Sequence, residues 1–222
     1  MAIETTGATC GVCVAEMSRG ELRILSIVET FVENVHDQML AVHTQQALAD
    51  SALTINDVDV VAVSGGPGSF TGTRIGVSFA KGLCFSGNPK LLVVDTMEAL
   101  AAASSEVAHA VGKDLCVVIP SHRDLYFAAR FDILDSTTTR RSEDQHAVAI
   151  LLSRDAVKTF SNDLMVVGPA SRDIDAHAIS GLTRLSSRFI ALNAARMITR
   201  ADANFTYSDP LHAEPLYRQE FR

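Results

Sequence analysis

A continuous run of β-branched and apolar residues, Val58 to Val63, leads directly into SGGPGSFTGTR at Ser64 to Arg74, and then into a helix-like stretch from Ile75 to Phe85. A short apolar run without alternation suits a strand buried on both faces of a parallel sheet. Strand, glycine-rich turn and helix in that order commit the chain to an α/β architecture. Its 222 residues, 47% apolar and 20% charged, suffice for one large globular domain or two small ones.

The rest of the chain extends the alternation. Ala2 to Thr5, Cys10 to Ala15 and Leu22 to Val28 read as three opening strands, the last two joined across the turn-forming Ser18, Arg19 and Gly20. Asp37 to Ala52 lacks Gly and Pro and reads as a helix with Leu40, His43 and Ala47 on one face. Leu91 to Asp95 is another strand and Met97 to Ala108 another helix. Beyond residue 104 the opening pattern returns in weaker form: strands at Leu115 to Ile119, Leu125 to Phe131 and Met165 to Val167, a polar loop at Asp135 to Gln145, and a helix at Phe189 to Thr199. This suggests a duplicated fold, with one lobe over residues 1–103 and a degenerate copy over 104–222. The tail from Asp209 is expected to be extended and held by Leu211, Leu216 and Tyr217.

Gly65, Gly66, Gly68, Ser69, Thr71 and Arg74 are the candidate residues of the turn. Backbone N–H groups in such a turn, at the positive end of a helix, are suited to phosphate. The spacing excludes the common versions. No glycine stands five residues after Gly65, Gly66 or Gly68, as a P-loop requires, and Thr71 occupies the third glycine position of a dinucleotide fingerprint. The alternative is that the glycines permit backbone angles or close approaches closed to other residues. Gly72, Gly76, Ala80 and Gly82 also leave the following helix with little bulk, at about 1 kcal/mol for each interior glycine. Close packing against a helix of this chain or of a partner compensates, with Ile75, Phe79 and Leu83 as apolar anchors.

Other chemistry is sparse. Cys10, Cys13, Cys84 and Cys116 sit among apolar or small residues, as buried thiols do, and no second pair completes a zinc site from the CxxC at Cys10 and Cys13. His36 and His43 are seven residues apart, whereas a helical metal pair stands at i and i+4. Nineteen basic against 26 acidic residues give a net charge of −7, which argues against unaided nucleic-acid binding. No apolar run approaches the roughly 20 residues of a membrane span, and Glu4 to Gly7 interrupt the place of a signal peptide's apolar stretch. A cytoplasmic protein is expected.

Val58 to Glu98, with SGGPGSFTGTRIGVSFAKGL at its centre, resembles the TsaB (YeaZ) family of tRNA threonylcarbamoyladenosine biosynthesis proteins. IETT at Ile3 to Thr6 stands where that family opens with Asp-Thr-Ser, His36 precedes a helix as in its His-Ser-Glu segment, and EPLYRQ resembles its closing signature. The family's Asp-Ala-Arg segment appears here as Ser121, His122 and Arg123.

The resemblance implies a duplicated actin/Hsp70-like, ribonuclease-H-like α/β fold in two lobes. It also implies a non-catalytic partner that binds and activates a TsaD-like catalytic subunit, together with a TsaE-like ATPase. That complex transfers threonylcarbamoyl to a tRNA adenosine, with tRNA reached only through the complex. A homodimer is expected when the chain is alone. No cofactor is expected on the isolated chain, although ATP or ADP could sit in the complex. The TsaD relative carries two metal-holding histidines after the equivalent strand, and here Thr96 and Leu100 stand in their places, so no metal or catalytic residue is expected. Leu40, His43, Ala47, Gly72, Ile75, Gly76, Phe79 and Leu83 form the expected partner or dimer contact. The rival reading is an actin-like-fold nucleotide-binding enzyme, a small-molecule kinase or ATPase, with Glu4 and Asp95 at strand ends holding magnesium. A peptidase is a more distant third.

Overall fold

The computed structural model describes residues 1–19, 21–32, 36–86, 88–135, 139–141, 150–175, 182–199 and 206–216. Gly20, most of the 135–145 stretch and Tyr217 lie outside them. The chain forms two compact units. The first comprises Met1–Thr96 and Ser186–Leu216, and the second comprises Met97–Leu185. The sequence division after residue 103 falls inside a helix, and the first unit recovers a C-terminal piece that lies far along the chain.

In the first unit, β1 (Ala2–Glu4), β2 (Cys10–Ser18), β3 (Glu21–Thr30), β4 (Val60–Ser64) and β5 (Lys90–Val94) make one sheet in the order β3-β2-β1-β4-β5. β1 pairs antiparallel with β2 and parallel with β4. Helix α1 (His36–Asp50) packs on β2 and β3, and α2 (Phe70–Ser86) on β4 and β5. These helices cover the face that carries Ile3 and Val12, burying Leu40, Ala47, Val77 and Ala80 in one core.

The opposite face needs its own cover, because parallel strands are apolar on both sides. Helix α6 (Ser187–Thr199) supplies it and packs across all five strands. Glu29 of β3 fixes its start: Oε1 accepts hydrogen bonds from the Ser186 hydroxyl at 2.8 Å and from the Ser187 N–H and hydroxyl, both at 2.7 Å.

The second unit contains α3 from Met97 onward (Thr96–Val111), β6 (Leu115–Pro120), β7 (Leu125–Ile133), β8 (Thr139–Arg141), β9 (Ile150–Ser153), α4 (Arg154–Phe160), β10 (Met165–Val167) and α5 (Ser171–Ile174). β6 pairs antiparallel with β7 and parallel with β10, as β1 does with β2 and β4. A Gly-Pro step follows the parallel strand in both units, with Gly66 at φ +102 and Gly168 at φ +106. The weak second copy expected from sequence is therefore a topological repeat. Thr139–Arg141 is a strand, where a polar loop is expected.

Candidate functional site

Helix α2 starts at Phe70, five residues earlier than the hydrophobic pattern indicates, because Ser69 caps it. The Ser69 hydroxyl accepts from the Gly72 N–H at 3.2 Å, and its carbonyl accepts from the Thr73 N–H at 2.9 Å. Such a cap satisfies N–H groups that the first turn otherwise leaves unpaired. Thr71, Gly72 and Arg74 are therefore helical, and Arg74 stacks on the Phe70 ring at 4.0 Å from its centroid.

The glycines are packing residues. A Cβ on Gly68 would collide with Thr6, one on Gly72 with the Thr5 carbonyl, and one on Gly76 with the Thr5 hydroxyl. The segment after β1 thus lies directly against α2, and the Thr5 hydroxyl donates to the Gly72 carbonyl at 2.8 Å. Gly65 is covered in the same way by Leu216, whose N–H donates to the Gly65 carbonyl at 2.7 Å. Protein atoms occupy the space in which a phosphate cradle would need open backbone.

The C-terminal segment up to Leu216 meets β5 at the Leu91–Ser208 bridge and then turns at Pro210–His212, where an extended tail is expected. Ser208 N–H donates to the Leu91 carbonyl at 2.8 Å, and Lys81 Nζ donates to the carbonyl of Ala213 at 2.9 Å. Leu216 does hold the tail. Leu211 is 64% exposed and reaches Lys81 only through its carbonyl, at 3.4 Å.

The eight expected contact residues separate into two groups. Leu40, His43 and Ala47 are buried against the chain's own β2 and β3. His43 is committed twice: Nδ1 donates to the Cys10 carbonyl at 3.1 Å, which leaves Nε2 to accept from the Thr30 hydroxyl at 2.9 Å. Gly72 and Gly76 face the Thr5 strand end. These five are buried within the first unit, since a helix face predicts burial without saying what buries it. Ile75, Phe79 and Leu83 are half-buried at the rim of the core. The outward sides of the same two helices carry Val42, 52% exposed, and Phe85, 73% exposed, which sequence reasoning missed.

A cleft of about 430 Å³ opens where α1 and α2 begin, lined by Gly7, Ala8, His36, Asp37, Ser69 and Thr71 among others. His36 Nε2 donates to the Thr9 carbonyl at 3.1 Å. Among the described residues no lysine or arginine lines the cleft. Burial pushes the thiols up, Cys10 and Cys84 to about 11 and Cys13 and Cys116 to about 12. Among the described residues no group of three His, Cys, Asp or Glu side chains is placed to hold a metal. Thr96 and Leu100 are both fully buried. Among the described residues no helix is long and apolar enough to cross a membrane.

A family model described as "TsaD: tRNA N6-adenosine threonylcarbamoyltransferase" matches residues 27–178. Haemophilus influenzae "tRNA threonylcarbamoyladenosine biosynthesis protein TsaB" is 29% identical over 58% of this chain and 52% of that protein. The Bacillus subtilis protein of the same description is 34% identical over 46% of this chain and 43% of that one. The chain belongs to the TsaB (YeaZ) family. It spans only about half the length of these two TsaB relatives. "YeaZ from Pseudomonas aeruginosa" superposes with a TM-score of 0.70 at 19% identity, covering 97% of each chain. A second Pseudomonas aeruginosa structure, described as having similarity to peptidase YEAZ, gives 0.74 at 18% identity over 98% of each. The YeaZ fold, an actin-like α/β arrangement with two sheets, is thus present over the whole chain. In this chain the long glycine motif is the seam between the segment after β1 and α2.

Proposed function

We propose that this chain acts in the formation of threonylcarbamoyladenosine in tRNA, as a non-catalytic partner that binds and activates a TsaD-type catalytic subunit in the cytoplasm. The observation carrying this reading is the outer surface of α1 and α2. Ile75, Phe79 and Leu83 reach the rim of the core, and Val42 of α1 and Phe85 of α2 are exposed to solvent. Large apolar side chains grouped on neighbouring helices mark a protein contact more often than a catalytic site. The histidines of α1 are at the same time turned inward, bound to the backbone carbonyls of Thr9 and Cys10, and the four thiols are buried.

The names of the TsaB relatives support the pathway. A TsaE-like ATPase and ATP or ADP would join in the complex, and tRNA would be reached only there. Alone, the chain would homodimerise through the same surface. The filled glycine turn weighs against the nucleotide-binding enzyme as the primary reading.

The test is co-purification with the same organism's TsaD-type subunit, combined with nucleoside analysis of tRNA. Phe85→Asp is the informative variant, because its side chain supports little of the fold. Retained folding with lost association and lost modification is expected. Unchanged association in Phe85→Asp and in Phe79→Asp would remove this surface from the reading.

A further inference from the structure

Strand β1 ends on Glu4, and the register aligns Glu4 with Gly11 of β2 and Gly11 with Glu29 of β3. Cross-strand partners share a face, so two carboxyl groups lie in one row under α6, separated by a residue without a side chain. Their surroundings differ. Glu29 receives three donors from Ser186 and Ser187, whereas Glu4 receives the Thr6 N–H at 2.5 Å and the Thr6 hydroxyl at 2.6 Å, both on Oε1. Glu4 is fully buried and its Oε2 has no hydrogen-bond partner. No cation pairs with it among the described residues.

Thr6 links this carboxyl to α2. Its carbonyl accepts from the Ser69 N–H at 2.6 Å, and Ser69 is the residue that caps the helix. The turn from Thr5 to Thr9 therefore sits between a buried acid and the first turn of α2, and its Gly7 and Ala8 form one wall of the cleft. Burial first, with Glu29 adding repulsion, pushes Glu4 up to about 7, against the pull of its bonds to Thr6 and Ser64. A docked turn then favours the proton and a hydrated turn favours the charge, so the balance between them must move with pH.

We propose that Glu4 makes the Thr5–Thr9 turn a proton-operated latch: protonated, the carboxyl keeps the turn docked on α2, and ionised, it releases the turn so that water reaches the charge. Release would uncap α2 and reshape the cleft. Other titratable groups face the turn from several elements. Glu29 stands on β3, the Cys10 thiol of β2 ionises only near 11, and His36 of α1 holds Thr9 at the far end. Asp37 of α1 lines the cleft together with Gly7 and Ala8, Ser64 of β4 is uncharged, and Arg188 of α6 acts on Cys13.

The test needs no partner and so stands apart from the partner reading. Amide exchange at Ser69 and Thr6, corrected for its intrinsic pH dependence, is followed from about pH 5 to about pH 8 in the full chain. A midpoint of about 7 against an ordinary 4.5 predicts protection falling by about seventyfold as pH rises. Glu4→Gln is expected to flatten the profile, and His36→Gln to retain it. Carbon-13 titration of the Glu4 carboxyl in the unaltered protein gives a second measurement, with a midpoint near neutrality expected, and it decides the matter if Glu4→Gln fails to fold. Wild-type protection without this slope, a slope that survives Glu4→Gln, or a carboxyl titrating in the ordinary range would each overturn the latch.

Discussion

Gly72 and Gly82 lie in the same helix, yet replacing each with alanine should move stability in opposite directions. At Gly72 the new methyl would meet the Thr5 carbonyl oxygen, part of the backbone that follows β1 and held there by the bond from Thr5 to the Gly72 carbonyl. Neither side can rotate away, so overpacking of about 1–3 kcal/mol applies. Alanine's helix propensity returns about 1 kcal/mol of that. At Gly82 no atom lies within 4 Å of the added Cβ, and the propensity gain of up to about 1 kcal/mol remains unopposed. The assay is urea denaturation followed by far-UV circular dichroism and, because the chain has two units, by amide exchange in α2. Gly72→Ala should lower the midpoint of the first unit and Gly82→Ala should raise it. Equal effects, or a Gly72→Ala protein more stable than wild type, would refute the packing account.

Glu29→Ala removes the acceptor shared by three donors at the start of α6 and should cost about 1–2 kcal/mol, as loss of a helix cap does; the urea midpoint checks it. His43→Ala should cost about 2–4 kcal/mol, because it leaves a cavity and strips the Cys10 carbonyl and Thr30 hydroxyl of their partner. Thermal denaturation would show it, and a neutral effect would mean that His43 does not hold α1 to the sheet. With their thiols held at about 11 or 12, all four cysteines should resist alkylation at about pH 8 in the folded protein and react once it is unfolded. Mass spectrometry after a timed pulse distinguishes the two states.

Much of the first unit was legible in sequence because local period and burial agree there. The β-branched run at Val58 to Val63 reads as a buried strand, and the helix beginning near Asp37 has a single apolar face. What that face meets was not legible. Leu40, His43 and Ala47 look the same whether they bury against a partner or against β2. The start of α2 was hidden because Phe70 to Arg74 is rich in Gly and Thr, which read as loop, while Ser69, its cap, is recognisable only once the helix is known. Leu216 on Gly65 and Ser187 on Glu29 join positions more than 150 residues apart, and no local pattern encodes such a pairing. The outward Val42 and Phe85 could have been found by asking which apolar residues fall off the buried stripe.

The return of α6 to the first sheet also sets an order of assembly. The described residues of the second unit all come from the stretch 97–185, whereas the first sheet waits for Ser186–Leu216 before its second face is covered. Long-range closure of this kind is slow compared with local pairing. During synthesis from the N-terminus, the strands made first therefore finish last, with Glu4 and Glu29 still open to water until α6 emerges and lies down over them.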